Sequence, residues 1–125
     1  ITPSFLSEKQ LENLLQKDLI NAQKLSQKQR QNQLNKSNPK PERIITSQVA
    51  FKRNPYVIIE VLERANGICE KCFKPAPFKR DNDNTPYLEV HHIIPLSDNG
   101  DDTVENAIAL CPNCHRHAHH GKTTF

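Results

Sequence analysis

Two histidines stand side by side in the stretch LEVHHIIPLSDNG, residues 88–100. Imidazole is neutral near pH 7, so it can bind a divalent ion or accept a proton from water. Adjacent side chains of a β-strand point to opposite faces, so a straight strand would separate His91 from His92. If both act in one centre, we expect the strand to twist or break by Ile94 or Pro95.

Four further histidines follow in the stretch PNCHRHAHH. His115 and His119 are four residues apart, which places both imidazoles on one face of a helix, where they can bind one ion. His117 and His120 lie off that face, and we expect them to be solvated. Taken alone, a pair of histidines at this spacing is by default a chance occurrence.

The cysteines form two C-x-x-C pairs that are separated by 38 residues. Zinc favours thiolate ligands at tetrahedral angles, and two such pairs supply four of them. A redox dithiol needs only one pair, and no thioredoxin-like βαβ pattern surrounds either. We therefore predict a structural zinc site on Cys69, Cys72, Cys111 and Cys114.

Short elements of an α+β domain are predicted around these residues. A helix capped by Asn54, begun by Pro55 and ended by Gly67 leads into the first cysteine pair. YLEVHHII and NAIALC read as strands, and SDNGDDT between them reads as a turn with Gly100 as its pivot. The last helix is expected to begin at Pro112.

The sequence before this region is basic and polar. Residues 1–55 contain ten Lys and Arg and four Asp and Glu. Residues 56–125 contain seven Lys and Arg and ten Asp and Glu, so that the net charge of the whole chain is +3. Such an arm suits a polyanion-binding protein, but Lys equally keeps a polar helix soluble. A helix with Ser7 as its N-cap has an apolar stripe, which predicts packing against a core. The prolines of residues 39–53 indicate a linker with room for one short extended piece.

A family resemblance joins these features. LEVHHIIPLSDNG followed by DTVENAIALCPNCHRHAHHG resembles the HNH endonuclease family, whose active site is the ββα-metal motif. FKRNPYVIIEVLERANGICEKC and PYLEVHHIIPL are similar to the HNH domains of McrA-type, modification-dependent restriction enzymes. The resemblance covers residues 51–121 and implies a treble-clef-like ββα-metal module. We expect a helical arm at 1–38, a linker at 39–53 and an HNH nuclease domain at 54–125.

The resemblance also implies roles for individual residues. His92 corresponds to the general base, and Asn106 to the residue that holds the loop between the strands and so orients it. His91, His115 and His119 correspond to ligands of one catalytic ion, for which Mg²⁺, Mn²⁺, Ni²⁺ and Zn²⁺ are candidates. Many members have Asp where His91 stands, which favours a more borderline metal here.

One further carboxylate lies close to this set in the sequence. Glu89 lies two residues before His91 on the same strand face, so we expect it to support that imidazole.

The function implied is metal-dependent hydrolysis of DNA, of the restriction or defence type, in the cytoplasm and without a membrane span. The alternative is a non-catalytic zinc module that binds nucleic acid on the same scaffold. The leading helix would suit an interaction module or a homodimer, and a DNA-recognition domain would lie outside this sequence. Double-stranded DNA is the expected partner, with phosphate contacts from Lys52, Arg53, Lys79, Arg80 and Arg116.

Overall fold

A computed structural model describes residues 5–122 of the chain. The chain divides into two compact units, Ile1–Ala50 and Phe51–Phe125. No helix within residues 5–122 is long and apolar enough to cross a membrane.

The first unit contains two helices and a small parallel ribbon. Its helices are α1 (Glu8–Lys24) and α2 (Gln27–Lys36), and its strands are β1 (Phe5–Ser7) and β2 (Ile45–Ser47). Ser7 caps α1 as expected, because its side chain accepts a hydrogen bond from the backbone N–H of Gln10 at 3.1 Å. β2 pairs in parallel with β1. Part of the segment expected as a linker therefore contributes a strand.

The apolar stripe of α1 is not buried. Leu14, Leu15 and Leu19 are 46%, 56% and 46% exposed, and no residue of α1 is buried. The expected core packing is therefore wrong. The physical reason is that α2 has almost no apolar residue and the ribbon strands have three residues each, so residues 5–50 offer the stripe only a small apolar surface.

The second unit begins with α3 (Pro55–Ala65), which delivers the chain to the first cysteine pair. Asn54 caps this helix, since its side chain accepts a hydrogen bond from Tyr56 N at 3.0 Å. We expected Gly67 to end the helix, but the left-handed residue at its C-cap is Asn66, with φ 51°. Asn tolerates this conformation because its short polar side chain can bond locally.

The two strands and the last helix form the expected ββα unit. β3 (Glu89–His92) pairs antiparallel with β4 (Ala107–Leu110), and His92 lies opposite Ala107. α4 (Pro112–His120) follows directly. Both strands are shorter than their sequences indicate, because the loop between them and the cap of α4 use the flanking backbone. The predicted α+β class is confirmed.

The core of this unit is made of small apolar side chains. Burying each leucine contributes about 1.5–3 kcal/mol, and the two that are buried are Leu88 and Leu110. Valine and alanine contribute less. A core of this size needs a further stabilising element, which in small domains is often a bound metal. The buried apolar residues are Val57, Val61, Ala65, Cys69, Leu88, Ala107, Ala109 and Leu110.

Gly100 closes the turn after β3. Its N–H donates a hydrogen bond to Pro95 O at 2.9 Å, and a Cβ at this position would lie 1.9 Å from the carbonyl oxygen of Ile94. No side chain fits that space, so the predicted pivot role of Gly100 is confirmed.

Candidate active site

The side chains of His91 and His92, at the end of β3, contact different residues. The Nε2 atom of His92 lies 2.8 Å from Oδ1 of Asp102. The ring of His91 instead lies 5.1 Å from that of His115 and 4.9 Å from that of His119. The strand ends at His92, before Ile94, as expected.

Three histidines form a cluster that could hold a metal ion. Each of His91, His115 and His119 offers one nitrogen, and these nitrogens lie within 4.8 Å of one another. The Nε2 atoms of His115 and His119 are 3.0 Å apart, close to the ~3.3 Å that tetrahedral geometry requires at Zn–N distances of about 2.0–2.1 Å. A site with three protein ligands keeps a position open for water or substrate, which is typical of catalytic metals.

Glu89 orients one member of this cluster. We expected it to support His91, but its Oε1 lies 2.8 Å from Nδ1 of His115. Its Oε2 accepts a hydrogen bond from the Tyr87 hydroxyl at 2.6 Å. This hydroxyl contact is the largest cause that lowers the pKa of Glu89, and His115 adds to it. The ionised carboxylate accepts a hydrogen bond from Nδ1–H of His115, so the proton stays on Nδ1 and Nε2 presents its lone pair to the cluster.

Electrostatics keep this cluster suited to a cation. Burial is the largest cause that lowers the pKa of His91, to about 4, and the charges of His115, His119 and His92 act in the same direction. Burial also lowers the pKa of His119, with contributions from the charges of His115, His120 and Arg116. Both rings are therefore neutral at pH 7, and their lone pairs are available to a metal.

Asn106 holds the loop between β3 and β4 at both ends. Its Oδ1 accepts a hydrogen bond from Ile94 N at 2.9 Å. Its Nδ2 donates to Ile94 O at 3.0 Å and to Asp101 O at 2.7 Å. Three hydrogen bonds of one amide group thus fix the point at which β3 stops.

The four cysteines meet in a second, closed cluster. Their sulfur atoms lie within 4.8 Å of one another, and the Sγ atoms of Cys72 and Cys111 are 3.9 Å apart. Zn–S bonds of about 2.3 Å at tetrahedral angles give an edge of about 3.8 Å, so the residues fit zinc.

Acid–base behaviour agrees with a cation at these sulfurs. Burial raises the pKa of the Cys69 thiol, but the backbone N–H groups of Cys72, Cys111 and Lys71 outweigh it and bring the pKa to about 6. Burial and the neighbouring sulfurs raise the pKa of Cys114 to about 12. One thiolate forms easily while the next is opposed by its neighbours, and a divalent cation bound there would favour the thiolate form of all four.

The five basic residues expected to contact DNA differ in their surroundings. Arg80 is engaged within the fold, because its Nη2 donates to Leu88 O at 2.7 Å and its guanidinium stacks on Tyr87. Arg53 has two buried nitrogens, Nε and Nη2, with no hydrogen-bond partner among the described residues. The other three, Lys52, Lys79 and Arg116, are exposed.

Sequence reasoning missed Asp102 and the contact between Glu89 and His115. Asp102 lies in the stretch SDNGDDT, which we read only as a turn, and nothing in its spacing from His92 indicates contact. His117 and His120 lie outside the three-histidine cluster and are exposed, as expected.

The part of the chain that contains both clusters matches a known protein family. Residues 69–121 match the family model described as HNH endonuclease. This segment is similar to the HNH endonuclease family. The HNH segment contains both cysteine pairs, every histidine of the chain and Asn106, and the resemblance drawn from the sequence is confirmed.

The proteins similar to this chain include a restriction enzyme. The type IV methyl-directed restriction enzyme EcoKMcrA of Escherichia coli (strain K12) is 52% identical over 83 residues, 66% of this chain and 30% of that protein. Anaredoxin of Nostoc sp. is 44% identical over 32 residues, 26% of this chain and 42% of that protein. The solved structure of the type IV phosphorothioation-dependent restriction endonuclease ScoMcrA is 34% identical and covers 57% of this chain and 14% of its own, with a TM-score of 0.49. The chain thus spans less than half of either curated relative.

Glu89→Gln tests the geometry of the three-histidine cluster. The amide cannot hold the Nδ1 proton of His115 as a carboxylate does, so we expect metal affinity to fall about 10–100-fold. Isothermal titration with Mn²⁺, Ni²⁺ and Zn²⁺, with the cysteine site already loaded, measures this loss. His117→Ala, on the same helix but outside the cluster, is the control and should keep wild-type affinity. Unchanged affinity in Glu89→Gln would contradict the assignment.

Proposed function

We propose that this chain is the nuclease part of a restriction enzyme that hydrolyses DNA phosphodiester bonds with the help of a divalent ion. The observation that carries the proposal is the convergence of His91, His115 and His119 beside the strand end that presents His92. Similarity to a methyl-directed restriction enzyme supports the defence role. Thiolates at the cysteine site suit the reducing cytoplasm.

A phosphodiester resists water because its negative charge repels the nucleophile and its alkoxide is a poor leaving group. A divalent ion bound by the three imidazoles would supply Lewis acidity at the scissile phosphate and the 3′ oxygen. Mg²⁺, Mn²⁺, Ni²⁺ and Zn²⁺ remain the candidates. A ligand set made only of imidazoles favours Ni²⁺ and Zn²⁺ over Mg²⁺ and Mn²⁺.

His92 accepts the proton of the attacking water in this proposal. Its Nε2 is engaged by Asp102, so Nδ1 is the nitrogen available to water. The new bond forms between the water oxygen and phosphorus, and the bond to the 3′ oxygen breaks. The products carry a 5′ phosphate and a 3′ hydroxyl. Asn106 contributes by fixing the strand end on which His92 stands.

Arg53 is the basic residue best suited to a DNA phosphate. Buried guanidinium nitrogens without partners cost free energy, of the order of 1–3 kcal/mol or more for a charged group, unless a ligand satisfies them. Nε and Nη2 of Arg53 are in that state among the described residues. Two oxygens of a phosphate can accept two parallel N–H bonds from a guanidinium. Because both nitrogens of Arg53 are shielded from solvent, this contact requires its side chain to swing outwards.

Recognition of modified DNA would belong to a part of the enzyme outside this HNH unit. Phosphate-directed contacts position a protein on DNA but carry no sequence information. The chain spans 30% of the methyl-directed relative, which leaves room there for a reader of the modification. Double-stranded DNA is thus the proposed substrate, and the modification is read elsewhere.

Plasmid nicking tests the proposal. We expect the purified protein to nick plasmid DNA with at least one of Mg²⁺, Mn²⁺, Ni²⁺ or Zn²⁺ and not without added ion. His92→Ala should lower the rate about 10²–10⁴-fold, which is the usual contribution of a general base, whereas His117→Ala should keep it. If a folded, ion-loaded protein cleaves neither modified nor unmodified DNA, the chain is instead a non-catalytic nucleic-acid-binding module.

Salt dependence of DNA binding tests the role of Arg53. Arg53→Ala should weaken binding to all sequences alike and reduce the slope of log K against log salt by about 1, because one fewer phosphate is neutralised. Fluorescence anisotropy with a labelled duplex, without added divalent ion, measures the slope. Lys74→Ala removes an exposed charge and is the matched control. An equal slope in wild type and Arg53→Ala would exclude the contact.

A further inference from the structure

The carboxylate of Asp102 joins the candidate base to the start of α3. Its Oδ1 lies 2.8 Å from Nε2 of His92, and its Oδ2 accepts a hydrogen bond from Asn54 N at 2.7 Å. His92 is only 8% exposed. One side chain thereby ties together the strand end, the following loop and the N-terminus of a helix that is 48 residues away in sequence.

Its surroundings keep this carboxylate ionised. The backbone N–H of Asn54 is the largest cause that lowers the pKa of Asp102, followed by the hydrogen bond with His92, and the positive charge of Arg53 acts in the same direction. An ionised carboxylate only accepts hydrogen bonds. The proton of the shared hydrogen bond therefore belongs to His92.

This arrangement fixes the tautomer of His92. A neutral imidazole has one N–H and one lone pair. If Nε2 carries the proton, the lone pair lies on Nδ1. Within residues 5–122 no hydrogen bond involves Nδ1 of His92.

We propose that Asp102 is a positioning residue for His92: it holds the ring in place and keeps the proton on Nε2, so that Nδ1 accepts the proton of water. This inference rests on the proposed nuclease function for its catalytic consequence. The location of the proton on His92 follows from the hydrogen bonds alone and can be measured without any cleavage.

A purely structural role for Asp102 is the competing explanation. The bond from Asn54 N would then matter most, and loss of the carboxylate would loosen the loop whatever residue stands at position 92. The two explanations differ in how Asp102 and His92 combine, because a residue that acts through another loses its effect when that other residue is removed.

A double-mutant cycle on kcat separates the two. Asp102→Asn should lower kcat at least tenfold with KM changed less than threefold, because the amide can donate to Nε2 and leave the proton on Nδ1. In the His92→Ala background the same change should alter kcat less than threefold. Asp98→Asn, in the same loop, should match wild type. Additive losses, or wild-type kcat in Asp102→Asn, would overturn the proposal.

Nitrogen-15 NMR of the labelled imidazoles supplies the second readout. We expect His92 to carry its proton on Nε2 in the wild type and to lose that preference in Asp102→Asn, with the thermal midpoint of both measured alongside. If the wild type does not cleave DNA, the proposed function fails and the position of this proton decides the inference by itself. A wild-type proton on Nδ1 would refute it.

Discussion

The meeting of four cysteine sulfurs is the constraint on which the geometry of the second unit depends. Cys69 follows α3 directly, and Cys111 is the N-cap of α4, where its sulfur accepts a hydrogen bond from Cys114 N at 3.5 Å. Joining these sulfurs therefore fixes where α4 begins relative to the end of α3. From that start, the helical spacing carries His115 and His119 to His91 on β3. A core built of valine, alanine and two leucines would hold this arrangement only weakly without the clamp.

The two clusters differ in a way that suits different tasks. The cysteine cluster provides four soft ligands and no further position, so an ion there is shielded from substrate and contributes to folding free energy. The histidine cluster provides three neutral ligands on partly exposed elements, so an ion there keeps positions for water and phosphate. Carboxylates on neighbouring residues refine this division. Glu89 engages Nδ1 of His115 and Asp102 engages Nε2 of His92. In the proposed function this leaves Nε2 of His115 for an ion and Nδ1 of His92 for water.

The features that local patterns determine could be predicted from the sequence. Cysteine spacing indicated the closed cluster, the i, i+4 histidines indicated one helix face, and Asn54 and Pro55 indicated where α3 begins. The family resemblance indicated that Asn106 holds the loop between the two strands. The hydrogen bonds of its side-chain amide to Ile94 and Asp101 then follow from the geometry of that loop.

Features that depend on approach between distant segments could not be predicted. Asp102 meets Asn54 across 48 residues, and Glu89 reaches His115 across 26 residues, and no periodicity encodes either contact. The amphipathic pattern of α1 also led to a wrong prediction that its apolar stripe is buried. Such a stripe indicates burial only where a second apolar layer exists. The end of α3 was misplaced by one residue, since both Asn66 and Gly67 adopt positive φ.

Selective removal of the histidine-bound ion tests the central claim that one cluster holds the fold and the other performs the chemistry. Brief treatment with a chelator, followed by elemental analysis, circular dichroism and plasmid nicking on the same sample, measures occupancy, folding and activity together. The account predicts that activity disappears while one zinc ion per chain and the folded spectrum remain, and that added divalent ion restores nicking. Nicking that survives the loss of every ion but the cysteine-bound zinc would contradict it, as would unfolding that accompanies the loss of activity.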